Sequence, residues 1–134
     1  MEKPLPTVSH LSEPFWGAAR EHRFVLQRCD ECGAYQWYPK AWCADCGSRK
    51  LRWKEVTGRG TVYSYTIINH AKANPAFTGE VPYAIAVVEL QEGPRMYGRI
   101  KDCPIEEITT GMKVRVVFED LSEEISLPQF TRDR

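Results

Sequence analysis

The stretch Cys29-Asp-Glu-Cys32-Gly33, with ten residues separating Cys32 from a second stretch, Cys43-Ala-Asp-Cys46-Gly47, decides the first half of the fold. Two C-x-x-C-G knuckles at that separation are a metal-site pattern. Each C-x-x-C turn delivers two sulfurs to one ion, and the glycine behind it lets the backbone fold back beneath the thiolates. Zinc takes four thiolates in a tetrahedron at about 2.3 Å, with no position left open for water or substrate. One Zn(2+) per chain, held by Cys29, Cys32, Cys43 and Cys46, is therefore expected as a staple and not as a catalyst. Iron accepts the same four-sulfur cage and stays open on chemistry alone. Disulfides fit poorly with an N-terminus, Met1-Glu-Lys-Pro-Leu-Pro6, that lacks the apolar core of a secretory signal. A redox site of the thioredoxin kind calls for one C-x-x-C in an alternating strand–helix chain, not two knuckles close together.

Outward from the knuckles the texture is strand-like. Phe24–Arg28 and Tyr35–Tyr38 flank the first knuckle, and Leu51–Val56 alternates Leu51 and Trp53 with basic residues. Residues 24–57 thus read as a rubredoxin-like four-cysteine zinc ribbon, too small to fold without its metal. Upstream, residues 1–23 read as an extended arm and a short helix. Ser12 is placed to cap that helix, Pro14 is tolerated in its first turn, and Phe15, Ala18, Ala19 and His22 share a face. So short a helix is marginal alone, so Phe15 and Trp16 are expected to anchor it on a sheet or on a partner.

Downstream, residues 58–134 are β-rich. Gly60–Asn69 sets Val62, Ser64, Thr66 and Ile68 against Tyr63, Tyr65 and Ile67, and Pro82–Leu90 is an apolar run. Met96–Ile100, Lys113–Glu119 and Ile125–Phe130 follow, with Pro, Gly and Asp turn signals between them. The fold class is mainly β: a short N-terminal helix, a zinc ribbon and a C-terminal OB-type β-barrel. That fold does not by itself name a function.

Composition narrows the field. The 134 residues carry 18 basic and 18 acidic side chains and 43% apolar residues, a globular profile. No apolar run approaches the roughly 18–20 residues of a membrane span, and a cytoplasmic location is expected. Zero net charge argues against a dedicated nucleic-acid binder. The charge is uneven: residues 20–59 hold nine basic against five acidic side chains, and residues 101–134 hold five against eight. A solvated surface accounts for that most simply, and a phosphate-binding patch or an acidic partner face is the sharper alternative. Cys103 stands without a base, and His10, His22 and His70 have no Ser, Cys or acid at triad spacing, so no catalytic residue is assigned.

A family resemblance rests on an ordered series of motifs. They are Pro14-Phe15-Trp16, Leu26-Gln27-Arg28-Cys29-x-x-Cys32-Gly33, Cys43-x-x-Cys46-Gly47-Ser48, Trp53, and Gly58-Arg59-Gly60-Thr61-Val62-Tyr63-Ser64-Tyr65-Thr66. Pro82-Tyr83, Glu89-Leu90, Glu92-Gly93-Pro94-Arg95, Gly111-Met112-x-Val114 and Val117-Phe118-Glu119 complete it. The chain resembles the zinc-ribbon plus OB-fold accessory proteins associated with thiolases and thiolase-like aldolases in acyl-CoA metabolism. The resemblance implies a non-catalytic subunit that pairs with a thiolase-fold catalytic subunit as a hetero-oligomer and supports its assembly and substrate/CoA pocket. Acyl-CoA at the shared interface is part of that implication. The candidate CoA- or partner-binding residues are Phe15, Trp16, Trp37, Tyr38, Lys40, Arg59, Asn74 and Phe77, with Tyr35 and Trp42 beside them, because aromatics and Arg anchor interfaces and Lys or Arg can hold phosphates. The alternative is a single-stranded nucleic-acid-binding OB module with Trp53, Tyr63 and Tyr65 as stacking platforms.

Overall fold

The computed structural model describes residues 6, 8–70 and 75–133, apart from the side chains at 75, 77 and 78. Asn74 and the Phe77 side chain, two of the expected contact residues, lie outside the described residues. One helix, α1 (Glu13–Arg20), precedes three ribbon strands, β1 (Val25–Cys29), β2 (Tyr35–Gln36) and β3 (Leu51–Glu55). Five barrel strands follow: β4 (Arg59–Ile68), β5 (Tyr83–Leu90), β6 (Arg95–Lys101), β7 (Lys113–Asp120) and β8 (Ser126–Arg132).

Helix α1 starts at Ser12, but the Ser12 hydroxyl does not cap it. A capping side chain bonds the N–H of the second or third helical residue, and here the second is Pro14, which has none. The Ser12 hydroxyl instead accepts from the Ser9 N–H at 3.0 Å, and the Glu13 N–H is taken by the Ser9 carbonyl at 2.9 Å. The far end also departs from expectation. The helix stops at Arg20, and His22 adopts φ 60°, closing the turn with its own N–H on the Ala19 carbonyl. His22 thus leaves the face of Phe15, Ala18 and Ala19, and its ring stacks on Phe118 at 5.3 Å.

The ribbon sheet has the order β2-β1-β3, both pairs antiparallel. β1 and β3 pair along their whole length, from Val25↔Glu55 to Cys29↔Leu51. The strand expected over Tyr35–Tyr38 ends at Gln36, so Trp37 and Tyr38 open the following loop.

The barrel closes in the order β4-β5-β6-β8-β7, with β7 returning to β4 through Gly60↔Val114 and with β6 and β8 parallel. This is the Greek-key connectivity of an OB fold. β5 alternates cleanly, burying Ala84, Ala86, Val88 and Leu90. β4 does not. Val62 pairs with Val88 and Ser64 with Val87, so Tyr63 is an extra, bulged residue. The bulge shifts the phase of everything after it. Ser64 and Thr66 are exposed, and Ile67, at an odd spacing from Val62, packs on the core.

A single apolar cluster runs from Phe15, Phe24 and Leu26 through Val62, Val88 and Val114 to Phe130, uniting helix, ribbon and barrel. The Phe130 ring fills the barrel over Gly98 of β6, two residues before its ladder partner Ile100: a Cβ on Gly98 would sit 2.7 Å from Phe130 Cε2. The ribbon therefore stands on the same core as the barrel, which fixes the direction in which its metal knuckles and loop project.

Candidate metal centre and the aromatic loop beside it

The two knuckles have the same local geometry. Cys29 N–H donates to the Ala34 carbonyl at 2.9 Å and Cys43 N–H to that of Ser48 at 2.7 Å. Gly33 N–H donates to the Cys29 carbonyl and Gly47 N–H to the Cys43 carbonyl, both at 2.9 Å. Gly33 and Gly47 take φ 79° and 78°, a region that costs a side-chain-bearing residue energy and glycine nothing. The four sulfurs consequently converge, all within 4.8 Å of one another.

Their spacing tests the metal. Tetrahedral bonds of about 2.3 Å give sulfur–sulfur edges of about 3.8 Å. Cys29 Sγ lies 3.6 Å from Cys46 Sγ, and Cys32 Sγ 3.6 Å from Cys43 Sγ, so the cage fits zinc. At this spacing the thiols perturb one another. The Cys32 backbone N–H, 3.5 Å from the Cys29 sulfur, is the main reason that thiol is drawn down to about 6. Cys46 is pushed up to about 12: the Ser48 amide favours its thiolate, but the Cys29 sulfur, burial and the other sulfurs outweigh that. Crowded thiolates repel, and a dication is what allows all four to ionise together. Cys29 and Cys43 are buried and Cys32 and Cys46 face outward, so one edge of the cage looks to solvent.

Between the knuckles, the loop from Trp37 to Trp42 carries three of the expected contact residues, Trp37, Tyr38 and Lys40. Tyr38 and Trp42 are 62% and 51% exposed, unusual for side chains of this size. Trp16, Trp37 and Tyr38 line one groove of about 300 Å³ with Ser9, Leu11, Ser12 and Pro39. Phe15 is different. It is 1% exposed, with its ring centroid 4.5 Å from that of Trp37 and 5.1 Å from that of Trp16, so it backs the groove and does not form its surface. Lys40 projects from the same loop and is exposed. Arg59 lies elsewhere, at the start of β4, where it lines a second groove with Thr61, Gln91, Lys113 and Asp133. Its Nε is 3.7 Å from Asp133 Oδ2.

The sequence reading missed what shapes the loop. Gln27 on β1 and Gln36 on β2 are directly paired. Gln27 Oε1 accepts from Lys40 N–H at 2.9 Å and from Gln36 Nε2 at 2.8 Å, while Gln27 Nε2 donates to the Lys40 carbonyl at 3.0 Å. Gln36 Nε2 donates to the Trp42 carbonyl at 3.2 Å, and its Oε1 accepts from Ala44 N–H at 2.9 Å. In sequence both glutamines look like ordinary solvent-facing strand residues. Only the position of Gln27 two residues before the first knuckle hints at more.

The absence of an acid beside the histidines also needs correction. Folding brings Asp120 to His22, with Nε2 to Oδ1 at 2.8 Å, and the Ser126 hydroxyl bonds that same Oδ1. The carboxylate sits between the other two, so the imidazole bonds the carboxylate rather than the hydroxyl and is not placed as that hydroxyl's base. Ser126 is itself buried, in a groove lined also by Arg20, Asp120 and Leu121. The trio ties the end of α1 to β7 and β8. Among the described residues no helix is long and apolar enough to cross a membrane.

Comparison with known proteins agrees with this architecture. Residues 16–52 match the model of the ChsH2 rubredoxin-like zinc ribbon domain, and residues 53–119 match that of the ChsH2 C-terminal OB-fold domain. A DUF35 domain-containing scaffold protein of Methanocaldococcus jannaschii is 36% identical over 72% of this chain and 68% of its own. A protein of Thermomonospora curvata described as a probable enoyl-CoA hydratase alpha subunit is 35% identical over 96% of this chain. The chain spans only 39% of that protein's length. Among solved structures, a chain of an Ltp2-ChsH2(DUF35) aldolase superposes with a TM-score of 0.85 at 34% identity, covering 96% of this chain and 98% of that one. With its four-cysteine zinc ribbon and OB barrel, the chain belongs to the ChsH2/DUF35 family.

Proposed function

We propose that this chain is a non-catalytic, zinc-binding accessory subunit of a thiolase or a thiolase-like retro-aldolase acting on acyl-CoA thioesters. The observation that carries the reading is the end-to-end match to a chain of an Ltp2-ChsH2(DUF35) aldolase, which leaves no part of that chain without a counterpart here to within 2% of its length. Relatives described as scaffold proteins and as a hydratase alpha subunit support an assembling role. The chemistry on this chain supports it as well. A four-thiolate cage offers zinc no open position, and the His22 imidazole bonds the Asp120 carboxylate rather than the Ser126 hydroxyl, so it is not placed as that hydroxyl's base.

In this reading one zinc per chain locks the ribbon, residues 24–57, and the barrel, residues 58–134, carries it. The groove of Trp16, Trp37 and Tyr38 meets the catalytic subunit, because exposed aromatics are the residues that anchor interfaces. Lys40, exposed and next in the chain after Pro39 of that groove, is the candidate for holding the phosphates of coenzyme A. Arg59, in a separate groove, serves assembly rather than the same contact. The single-stranded nucleic-acid reading has less support. Trp53 is half-buried against the core, and Arg95 and Arg99 on the barrel face are engaged by Glu89 at 3.0 Å and Glu80 at 2.6 Å.

The test is reconstitution. The catalytic chain is assayed on its acyl-CoA substrate alone, with this chain, and with its Trp37→Ala variant. The proposal predicts higher activity with the intact chain, and a requirement for more chain to reach it with the variant. Turnover by this chain alone would contradict the non-catalytic assignment.

A further inference from the structure

The structure assigns to Gln27 and Gln36 the role of positioning residues that hold the aromatic loop in its docking shape. This inference rests on the reading that the loop meets the catalytic subunit.

Residues 37–42 belong to no strand, and among the described residues they make no backbone–backbone hydrogen bond outside the helices and strands. A loop in that state ordinarily samples many conformations, and its bulky aromatics would be ordered only on binding, at a cost in affinity. Here two side-chain amides take the place of the missing strand. Gln27 is 6% exposed and fixes both polar backbone groups of Lys40. Gln36 fixes the Trp42 carbonyl and the Ala44 N–H, and the amides bond to each other. The loop is therefore pinned in its middle and at its end, while Phe15 supports Trp37 from beneath. Glutamine is the residue this needs. Its amide both donates and accepts, so one side chain serves an N–H and a C=O of the same residue.

The metal alone does not supply this. The cage fixes Cys32 and Cys43, the flanks of the segment, and leaves the backbone between them free to take other paths. Zinc and the glutamine pair thus have separable duties: the first folds the ribbon, the second preorganises what the ribbon presents.

The variants Gln27→Leu and Gln36→Leu keep side-chain bulk and remove the amide. Three readouts are taken on the full chain: the absorption spectrum of the cobalt-substituted protein, hydrogen exchange of the Lys40 and Ala44 amides, and affinity for the catalytic subunit. The expected result is an unchanged cobalt spectrum, exchange faster by about tenfold at Lys40 in Gln27→Leu and at Ala44 in Gln36→Leu, and weaker partner binding. Gln36 is only half-buried, so its variant gives the same reading should Gln27→Leu lose the cobalt spectrum. Amides that stay protected overturn the inference whatever the partner does. Faster exchange with undiminished affinity overturns it too, provided Trp37→Ala weakens binding. Undiminished affinity in the glutamine variants and in Trp37→Ala alike overturns the docking reading beneath it.

Discussion

Phe15 and Tyr38 stand at opposite ends of the same aromatic cluster, and truncating each separates packing from contact. Phe15 is 1% exposed and meets Trp37 at 4.5 Å, Trp16 at 5.1 Å and Phe24 at 6.0 Å between ring centroids. A buried phenylalanine removes roughly 200 Å² from water, worth about 5 kcal/mol at 25 cal/mol per Å². Because the unfolded chain is not fully exposed, and alanine keeps part of that area, the observed range of about 3–5 kcal/mol for Phe→Ala is the better figure. Set against a total stability of about 5–15 kcal/mol, this is a large fraction. At about 4 °C per kcal/mol, Phe15→Ala lowers Tm by about 10–20 °C. Tyr38 is 62% exposed, so Tyr38→Ala shifts Tm by no more than about 3 °C while weakening partner binding. Differential scanning calorimetry of the metal-loaded variants, with binding measured well below both transitions, reads the two effects apart. A Phe15→Ala transition within about 3 °C of wild type would refute the assignment of Phe15 to the core. An equal loss of Tm in Tyr38→Ala would refute the division between the two.

Removing the metal should unfold the ribbon, and since three of the four tryptophans, Trp37, Trp42 and Trp53, lie there, near-ultraviolet circular dichroism should collapse on chelation and return with zinc; a metal-free chain with an unchanged spectrum would contradict this. Gly98→Ala should cost about 1–3 kcal/mol by overpacking Phe130, and Phe130→Leu should relieve part of that cost in the double variant; strictly additive losses in chemical denaturation would show that the two do not share the space. Hydrogen bonds from Ser126 and then His22 hold the Asp120 carboxyl below its ordinary value, so the stability it contributes is present above the unfolded-state value of about 3.9 and is lost as pH falls through the lower folded value. Asp120→Asn should flatten the fall in stability with acid over that range, and an unchanged acid limb in urea titrations would remove Asp120 from the account.

The legible parts of the fold were those written as local patterns. The knuckles carry their own geometry, because two cysteines and a glycine suffice to turn the chain under its thiolates, and β5 shows its alternation undisturbed. What stayed hidden depends on contacts made across the chain. The bulge at Tyr63 has no local signature, and it alone moves Ile67 inward and leaves Ser64 and Thr66 outside. His22 fits the helix face by spacing, yet the helix ends two residues before it, and Asp120, 98 residues away, gives it a partner. The site divides in the same way. The convergence of the four cysteines is evident in the sequence, and so is the aromatic character of the loop. That Phe15 lies beneath the groove while Tyr38 lies on it depends on how α1 settles on the ribbon. That Gln27 and Gln36 brace the loop depends on their register across β1 and β2, and a glutamine in a strand reads the same whether it faces solvent or a loop backbone.

The central claim is that this chain works as one component of a catalytic complex. Affinity purification of the tagged full chain from its own cells, with mass spectrometry of whatever accompanies it, tests that most directly. The account predicts a thiolase-fold chain in near-equal amount, retained by wild type and depleted with Trp37→Ala. Recovery of the chain alone, or with nucleic acid in place of a protein partner, would contradict it.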